Sequence, residues 1–570
     1  MKIALGIFCL VHFSIYVHSQ NEPFIRRTVI TSLNSPWEIT YGPNDSLWVT
    51  ENFDYQVSRI NVANGSQTVL LSLLSGTGND ASIDFSQSGG SGRVVPSKWP
   101  QGGLMGLALH PALYSADPVT RAAKPWVYIA YVFDVGTCPS TNNPCTFQTK
   151  IVRYDYNANA LTNPVIILTN IPGSNDHNSG RLKIGPDLKL YYTIGDMGAG
   201  QFNNASRTNN AQQIDVMEGK VLRLNTESDG DAGLDAWVPD DNPFYNASAI
   251  TPQDYVYTMG HRNAQGLVWA NVNGTNRLYA SEHGDKTDDE INIITGGSNY
   301  SWNRASGYCD DNYNGMTLGG YSPVNESGFC TSTPSSTQPF FTMFTRTQSQ
   351  INALSSDYLT WPSVAPSSID YVEMSSIPGW DNSLLITTLK AGKVFRVKLN
   401  STGTGIIQYP SGVDTANYFH GQGRFRDMAI SPDGSKFYLA CDITGQTSGP
   451  TGGFNGGGTP PPNAGSILEF SYVGVLLPLK EHPGSPTIVR NMVKIYPNPT
   501  HDVLNIQSKN DLHKPLLASL YDVHGRLITS VTSYKNDFSI NIKSVTAGLY
   551  FLKLYNGHDV EVQVEKIIIK

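Results

Sequence analysis

SNDHNSGRLKIGPDLKLYYTIGDMG, residues 174–198, reads as one hairpin with polar ends. Two apolar runs, 182–184 and 188–194, flank a Gly-Pro-Asp turn at 185–187. Runs of that length around such a turn predict two antiparallel strands. A hairpin returns the chain to where it began. Asp196, just past the second strand, is therefore expected beside His177, just before the first. A carboxylate beside a histidine fixes its tautomer and favours its protonated form, which suits a general base. Taken alone, the segment reads as readily as a loop histidine on a surface hairpin.

The same pattern recurs six times between residues 25 and 472. The first unit is ITYGPNDSLWVTE (39–51) with QVSRI (56–60), and the second LMGLALHP (104–111), WVYIAYVF (126–133) and KIVRY (150–154). The opening stretch with KVLRL (220–224) is the third, and GLVWANVNGTNRLYASE (266–282) with EINII (290–294) the fourth. SIDYV (368–372), SLLITTLK (383–390) and KVFRV (393–397) make the fifth, and DMAISPDGSKFYLACD (427–442) with SILEF (466–470) the sixth. A sheet module of three or four strands repeated in this way predicts an all-β, six-bladed β-propeller. The repeat is roughly 75 residues against about 40–50 for a compact blade, the excess lying in the long stretches 76–100, 229–253 and 301–359. A pair of β-sandwiches is the alternative architecture.

The totals agree with a turn-rich β protein: 570 residues, 53 Gly, 34 Pro and 10% aromatics. That length predicts about three or four domains. A net charge of −8 argues against nucleic acid as a partner. Residues 1–19 join Lys2 to an apolar stretch and then small residues, the pattern of a secretory signal peptide. Cys9 falls inside it. Cys138 and Cys145 enclose one short polar loop, and Cys309 and Cys330 flank another. Export makes both pairs candidate disulfides, with connectivity left open. Cys441, in an apolar strand, is expected as a buried free thiol.

Residues 473–492, with three prolines, read as a linker. In 493–570 the runs VKIYPNPTHDVLNI, SLYDVHGRLIT and AGLYFLKLYNG alternate at strand period, which predicts a small C-terminal β-sandwich. A carbohydrate-binding sandwich is one reading. The stretch also closely resembles the C-terminal sorting domain of the type IX secretion system of Bacteroidetes. Tyr496-Pro497-Asn498-Pro499, the turn at 522–525 and Gly548-Leu549-Tyr550 carry the resemblance. It implies an export signal, usually removed on delivery.

In every hairpin the residues before the first strand and after the second share one end of the fold. Before first strands stand Trp37, Glu38, Gln101, His177, Arg262, Asn263, Ser363, Arg424 and Arg426. After second strands stand Glu51, Asp196, residues 282–285, Lys390 and Asp442. Residues far apart in the chain are thus expected at one mouth, where function concentrates. Arg262, Lys390, Arg424 and Arg426 bring positive charge together in an acidic protein, so a ligand with several carboxylates or phosphates is expected. No Gly-rich phosphate loop feeds a helix, which disfavours a nucleotide. The alternative is that each cation pairs with an acid such as Asp427 or Glu282. SEHGDKTDDE (281–290) is rich in oxygen donors that suit a hard cation, and equally suits a solvated acidic loop.

At this point the chain resembles a known family, the soluble glucose dehydrogenases that depend on pyrroloquinoline quinone (PQQ). The segments PQGGLMGLALHP, DHNSGRLKIGPDLKLYYTIGD, MGHRNAQGL, SEHGDKTDDEIN, WPSVAPSS and GRFRDMAISPDG carry the resemblance, in order, across residues 34–472. It implies a six-bladed propeller holding PQQ and Ca²⁺. PQQ is a planar tricarboxylate and answers the charge argument. His177 would take the proton from the anomeric hydroxyl of an aldose, with Asp196 orienting it, while the hydride passes to PQQ and a lactone forms. Arg262 would stabilise the charge developing on the quinone oxygen, and Gln101 would position the sugar. Arg262, Asn263, Ser363, Lys390, Arg424 and Arg426 would hold PQQ. Gly284 and Asp285 carbonyls would bind its calcium, and Glu290, Tyr300, Ser306, Tyr308 and Asp310 a second one. Asp285 stands where the family has proline, His283 where it has glutamine, and Ser363 where it has threonine.

The partners implied are an aldose, an external electron acceptor and the type IX machinery, with a homodimer as one assembly the reading admits. The protein is expected to be secreted or held at the cell surface, exported through the periplasm. A calcium-dependent lactonase and a non-catalytic carbohydrate-binding propeller are the rival functions. The first would need a side-chain carboxylate cage at the mouth.

Overall fold

The computed structural model describes residues 18–19, 23–84, 102–135, 147–157, 159–230, 236–407, 415–448, 460–473, 493–508, 516–522, 527–555 and 561–570. Gln101, Cys138, Cys145, nearly all of the expected signal peptide and most of the expected linker lie outside these residues. The chain divides into two units, Arg26–Phe470 with the N-terminal residues, and Ser471–Lys570 with Asn21–Ile25.

The opening stretch forms its hairpin. Leu182–Ile184 pairs antiparallel with Lys189–Ile194, Leu182 facing Tyr192 and Ile184 facing Leu190. Lys220–Asn225 and Val256–Met259 extend this to four strands. The second strand reads as a nearly unbroken apolar run because both its faces are covered. Leu190, Tyr192 and Ile194 pack with Tyr128, Ala130 and Ile151 of the preceding sheet. Tyr191 packs on the other side with Leu267, Leu278 and Ala280 of the next.

Five further sheets repeat this plan, the one that begins with Pro366–Val372 carrying His18–Ser19 as a fifth strand. Their first strands are Pro36–Gly42, Leu104–Leu109, Ala264–Val272, Pro366–Val372 and Phe425–Ile430. Each first strand touches the first strand of the next sheet, and that of the sixth sheet touches that of the first. The sixth sheet, Phe425–Ile430, Lys436–Cys441 and Ile467–Tyr472, takes its fourth strand from the other end of the chain, Phe24–Ile30. The repeat pattern did not reveal that strand, because its partner lies more than 400 residues away in sequence.

Inside the ring lies a buried charge cluster. Arg181 Nη1 meets Asp427 Oδ2 at 2.9 Å and pairs closely with Glu38 Oε2. Lys183 Nζ reaches Glu38 Oε1 at 3.0 Å, and the Arg181 guanidinium lies 4.4 Å from the Trp37 ring centroid. Arg181, Glu38 and Asp427 are almost wholly buried, so removing one partner would strand an uncompensated charge. Cys309 and Cys330 form a disulfide, and Cys441 is a buried free thiol.

In the C-terminal unit, Val493–Tyr496, Val503–Ser508 and Asp537–Asn541 form one sheet. Leu516–Asp522, Leu527–Ser533, Gly548–Tyr555 and Glu561–Ile569 form another. Leu504, Ile506 and Ile540 of the first share a core with Ala518, Leu520, Leu552 and Ile567 of the second.

Candidate active site

Three backbone segments meet at Gly195, and their meeting sets the site. A Cβ there would stand 2.0 Å from the His177 carbonyl oxygen and 3.0 Å from that of Arg262, so glycine alone permits the approach. Asp196 N–H then donates to Arg262 O at 2.8 Å. His177 itself holds φ at 51°, in the left-handed region that non-glycine residues seldom occupy. Such backbone persists only where the surroundings over-determine it.

His177 Nδ1 lies 2.7 Å from Asp196 Oδ1. Other donors hold that carboxylate in place: Gly198 N at 3.0 Å on the same oxygen, and Asn209 Nδ2 at 3.0 Å and Trp302 Nε1 at 2.7 Å on Oδ2. Asp196 therefore requires an N–H at Nδ1, which leaves Nε2 of the neutral ring as an acceptor. Nε2 accepts from Gln201 Nε2 at 2.8 Å. Gln201 Nε2 also donates to Asp176 Oδ2 at 3.1 Å, and Gln201 Oε1 accepts from Arg262 Nη2 at 2.8 Å. Both His177 and Asp196 are buried.

Glu282 fastens the Arg262 segment from behind. It accepts the N–H of Arg262, the N–H of Asn263 at 3.1 Å, and lies 3.0 Å from His261 Nδ1. The Arg262 guanidinium lies 5.3 Å from the Trp302 ring centroid and 3.9 Å from Asp285 Oδ1. Its Nε is buried with no hydrogen-bond partner among the described residues. Asn263 Oδ1 accepts from both the N–H and the hydroxyl of Ser179, each at 3.2 Å. Burial pushes the Asp285 carboxyl up against the pull of Arg262, and pushes the His283 imidazole well below its usual range.

The remaining cations are unevenly matched. Arg426 Nη2 donates to Asp442 Oδ2 at 2.6 Å and Nη1 to Gln265 Oε1 at 3.0 Å. Arg424 Nε lies 3.7 Å from the same Asp442 oxygen, so one carboxylate serves two guanidiniums. Lys390 Nζ donates to two carbonyls, Tyr358 O and Trp361 O, both at 2.7 Å. Burial lowers Arg424 to about 10 and Lys390 to about 8. Of the two acids named as alternative partners for these cations, Asp427 is taken by Arg181 and Glu282 by backbone N–H groups. Other acids stand beside the arginines, Asp442 at 2.6 Å from Arg426 and 3.7 Å from Arg424, and Asp285 at 3.9 Å from Arg262.

Ser363 Oγ donates to Asp289 Oδ1 at 2.9 Å, and Gly284 N–H donates to the same oxygen at 3.1 Å. The turn carrying Gly284 and Asp285 is thereby tied to the start of the fifth sheet. Glu290 faces Glu282 across the ladder and accepts from Gly307 N at 2.8 Å. Burial, with Glu282 opposite, raises its carboxyl well above the usual range. Asp288 and Glu326, each raised to about 7 by burial, lie in the same region. Ser306 N–H donates to Glu326 Oε1 at 3.1 Å, Tyr300 OH donates to Ile293 O, Tyr308 is half-buried and Asp310 is exposed. Among the described residues no three His, Cys, Asp or Glu side chains are close enough together to hold a metal ion.

Gln201, Asn209 and Trp302 were not foreseen. They come from long connections between strands of one sheet, the third for Gln201 and Asn209 and the fourth for Trp302, where no periodicity marks them, although Gln201 lies only five residues beyond Asp196. Glu38 and Glu51 were expected at the mouth. Glu38 joins the buried cluster below it, and Glu51 accepts from Asn34 N at 2.9 Å and Gln56 Nε2 at 2.8 Å.

Residues 33–448 match the glucose/sorbosone dehydrogenase family, and residues 494–570 match the secretion system C-terminal sorting domain. The quinoprotein glucose dehydrogenase B of Acinetobacter calcoaceticus is 33% identical over 497 residues, covering 80% of this chain and 93% of its own. An aldose sugar dehydrogenase of Escherichia coli (strain K12) is 25% identical over 363 residues, covering 62% of this chain and 78% of its own. The solved apo-form of the soluble aldose sugar dehydrogenase from Escherichia coli superposes with a TM-score of 0.52 at 22% identity, covering 79% of this chain and all of its own, a likeness of fold. The sorting domain points to export, to the cell surface or beyond. The chain belongs to the glucose/sorbosone dehydrogenase family, and is an oxidoreductase of that family carrying a C-terminal secretion sorting domain.

Proposed function

We propose that residues 25–472 form a six-bladed β-propeller that oxidises the anomeric carbon of an aldose, such as glucose, to the lactone, with PQQ and Ca²⁺ as cofactors and His177 as the general base. The observation that carries this reading is the fixed tautomer of His177, whose Nε2 is an acceptor opposite Arg262 Nη2 across one amide. Six sheets, five of four strands and one of five, with first strands in closed succession support the propeller.

His177 Nε2 accepts the proton of the anomeric hydroxyl, and Asp196 stabilises the imidazolium that forms. Arg262 Nη2 steadies negative charge as it develops on oxygen. When bound, PQQ supplies the acceptor for the hydride leaving the sugar carbon, and Ca²⁺ the Lewis acid that polarises it. The residues fit a polycarboxylate. Among the described residues Arg424 and Arg426 share one carboxylate, Lys390 Nζ donates to two carbonyls, and Arg262 Nε and Arg424 Nε are buried without hydrogen-bond partners. Arg262, Asn263, Ser363, Lys390, Arg424 and Arg426 would hold it. With no side-chain cage among the described residues, calcium at this site would rest on the Gly284 and Asp285 carbonyls. Glu290, Tyr300, Ser306, Tyr308 and Asp310 would line a second calcium region, and Gln101 would position the sugar.

Purified protein given PQQ and Ca²⁺ should reduce a dye only when an aldose is added. Absence of aldose-dependent reduction with both cofactors present would reject the reading.

Lys390 adds a pH dependence. Its ammonium, lowered to about 8 by burial, loses its proton in the ligand-free protein as the pH rises past that value. Binding a carboxylate beside it then requires proton uptake. PQQ affinity should hold below about pH 8 and fall above it, by up to about tenfold per unit. Titrations of PQQ at pH 7 and 9 check this, and equal affinities would contradict it.

Residues 1–19 serve as a signal for export to the periplasm, and the tail, a small β-sandwich after a linker at 473–492, as the type IX signal for delivery from there. A chain ending at Tyr472 should fold, bind PQQ and oxidise aldose when made with an ordinary secretory signal. In the native host it should stay in the periplasm. Normal surface delivery of the shortened chain would contradict the assignment.

A further inference from the structure

A trans peptide unit is planar, so its N–H and its carbonyl point to opposite sides. Whatever holds the Lys286 N–H therefore sets the direction of the Asp285 carbonyl, which belongs to the same unit. That N–H donates to the Tyr313 hydroxyl oxygen at 3.3 Å. Other units of the turn are fixed by different groups. Gly284 N–H donates to Asp289 Oδ1 at 3.1 Å, and Lys286 O accepts from Ser363 N–H at 3.2 Å. We propose that Tyr313 is a positioning residue, whose hydroxyl fixes the peptide unit that would present the Asp285 carbonyl to Ca²⁺. This rests on the reading that the calcium sits on the Gly284 and Asp285 carbonyls.

Tyr313 itself is held from several sides. Its side chain is 1% exposed and packs with Trp302, Leu318, Val324 and Ile351. Its N–H donates to Glu326 Oε2 at 3.1 Å, and the other oxygen of that carboxylate accepts from Ser306 N–H at 3.1 Å. Gly315 N–H donates to Val324 O at 2.9 Å, and Val324 N–H to Met316 O at 3.0 Å. The disulfide between Cys309 and Cys330, 21 residues apart in sequence, closes the loop that contains Tyr313. Such a cross-link removes open conformations from the loop. Trp302, in the same apolar cluster, donates from Nε1 to Asp196 Oδ2 at 2.7 Å. One small core thus braces the partner of His177 on one side and the turn at 284–286 on the other. The two contacts of the peptide unit also reinforce each other. A cation on the carbonyl oxygen polarises the amide and makes its N–H a stronger donor. A phenylalanine at 313 would fill nearly the same volume and offer no acceptor to that N–H.

The test titrates Ca²⁺ into the metal-stripped full chain with PQQ in excess, and follows the absorbance of the bound cofactor. Tyr313→Phe should weaken Ca²⁺ binding about three- to tenfold, the worth of one hydrogen bond. Its urea midpoint without Ca²⁺ should move little, and excess Ca²⁺ should restore turnover of the aldose. Cys309→Ser with Cys330→Ser opens the loop and should also weaken Ca²⁺ binding. In that background Tyr313→Phe should cost less than in the disulfide-bonded chain, because the hydroxyl is no longer held in place. An unchanged Ca²⁺ titration in Tyr313→Phe would overturn the proposal. So would a loss of turnover that excess Ca²⁺ fails to restore, since a merely structural role acts at every Ca²⁺ concentration. An equal cost with and without the disulfide would overturn the bracing of Tyr313 by its loop. Wild-type protein whose bound PQQ does not respond to Ca²⁺ would overturn the calcium reading itself, and the role of Tyr313 with it.

Discussion

His177→Ala lowers kcat for an aldose by about 10²- to 10⁴-fold, the range a positioned general base contributes. The fold and PQQ binding survive, because the ring's partners are side chains of its own loops and none of the Lys390, Arg424 and Arg426 contacts passes through it. The loss arises at one atom. Asp196 is held by Gly198, Asn209 and Trp302 and demands an N–H at Nδ1. Nε2 is left with the lone pair, which points to the same amide that Arg262 Nη2 contacts. Gln201 cannot substitute, since its amide nitrogen only donates. Adding PQQ to the variant and following its absorbance separates the two effects. Normal turnover in a variant that binds PQQ would remove His177 from the reaction.

Arg424→Ala weakens PQQ binding by about 10- to 100-fold, the cost of one charge-assisted hydrogen bond to a carboxylate. Arg424 suits this test better than Arg426. Arg426 holds Asp442 at 2.6 Å and Gln265 at 3.0 Å, so its removal leaves a buried carboxylate unmatched. Arg424 lies 3.7 Å from Asp442 and spends Nη1 on the Gln446 carbonyl, so Asp442 keeps its partner without it. Burial has already lowered Arg424 to about 10, and a bound carboxylate relieves that penalty. Turnover at saturating PQQ should fall less than affinity. An unchanged PQQ titration would count against the clamp.

Much of this arrangement was legible before any coordinates. The six hairpins announced themselves because apolar runs, tight turns and polar ends recur together. Hairpin geometry alone brought Asp196 to His177. Arg262, Lys390, Arg424 and Arg426 could be picked out because they occupy the ends of their hairpins. What was not legible has physical causes. Trp302 and Asn209 reach Asp196 from long connections whose path no periodicity encodes. Phe24–Ile30 completes the sixth sheet by pairing across the whole chain. Arg181 stands inside the opening stretch, yet its partners Glu38 and Asp427 come from the first and sixth sheets, and only the closed succession of first strands brings the three together. The acid that Arg424 and Arg426 share, Asp442, was on the same expected rim but was not matched to them, since Asp427 and Glu282 were nearer in pattern.

The central claim is that this unit removes a hydride from the anomeric carbon of a sugar. Protein loaded with PQQ and Ca²⁺ can be mixed anaerobically with an aldose, with no external electron acceptor present, and the products resolved by mass spectrometry. The account predicts about one lactone per loaded protein molecule, formed more slowly when C1 carries deuterium. No lactone from loaded protein, or an added lactone opened while the aldose stays untouched, would contradict it.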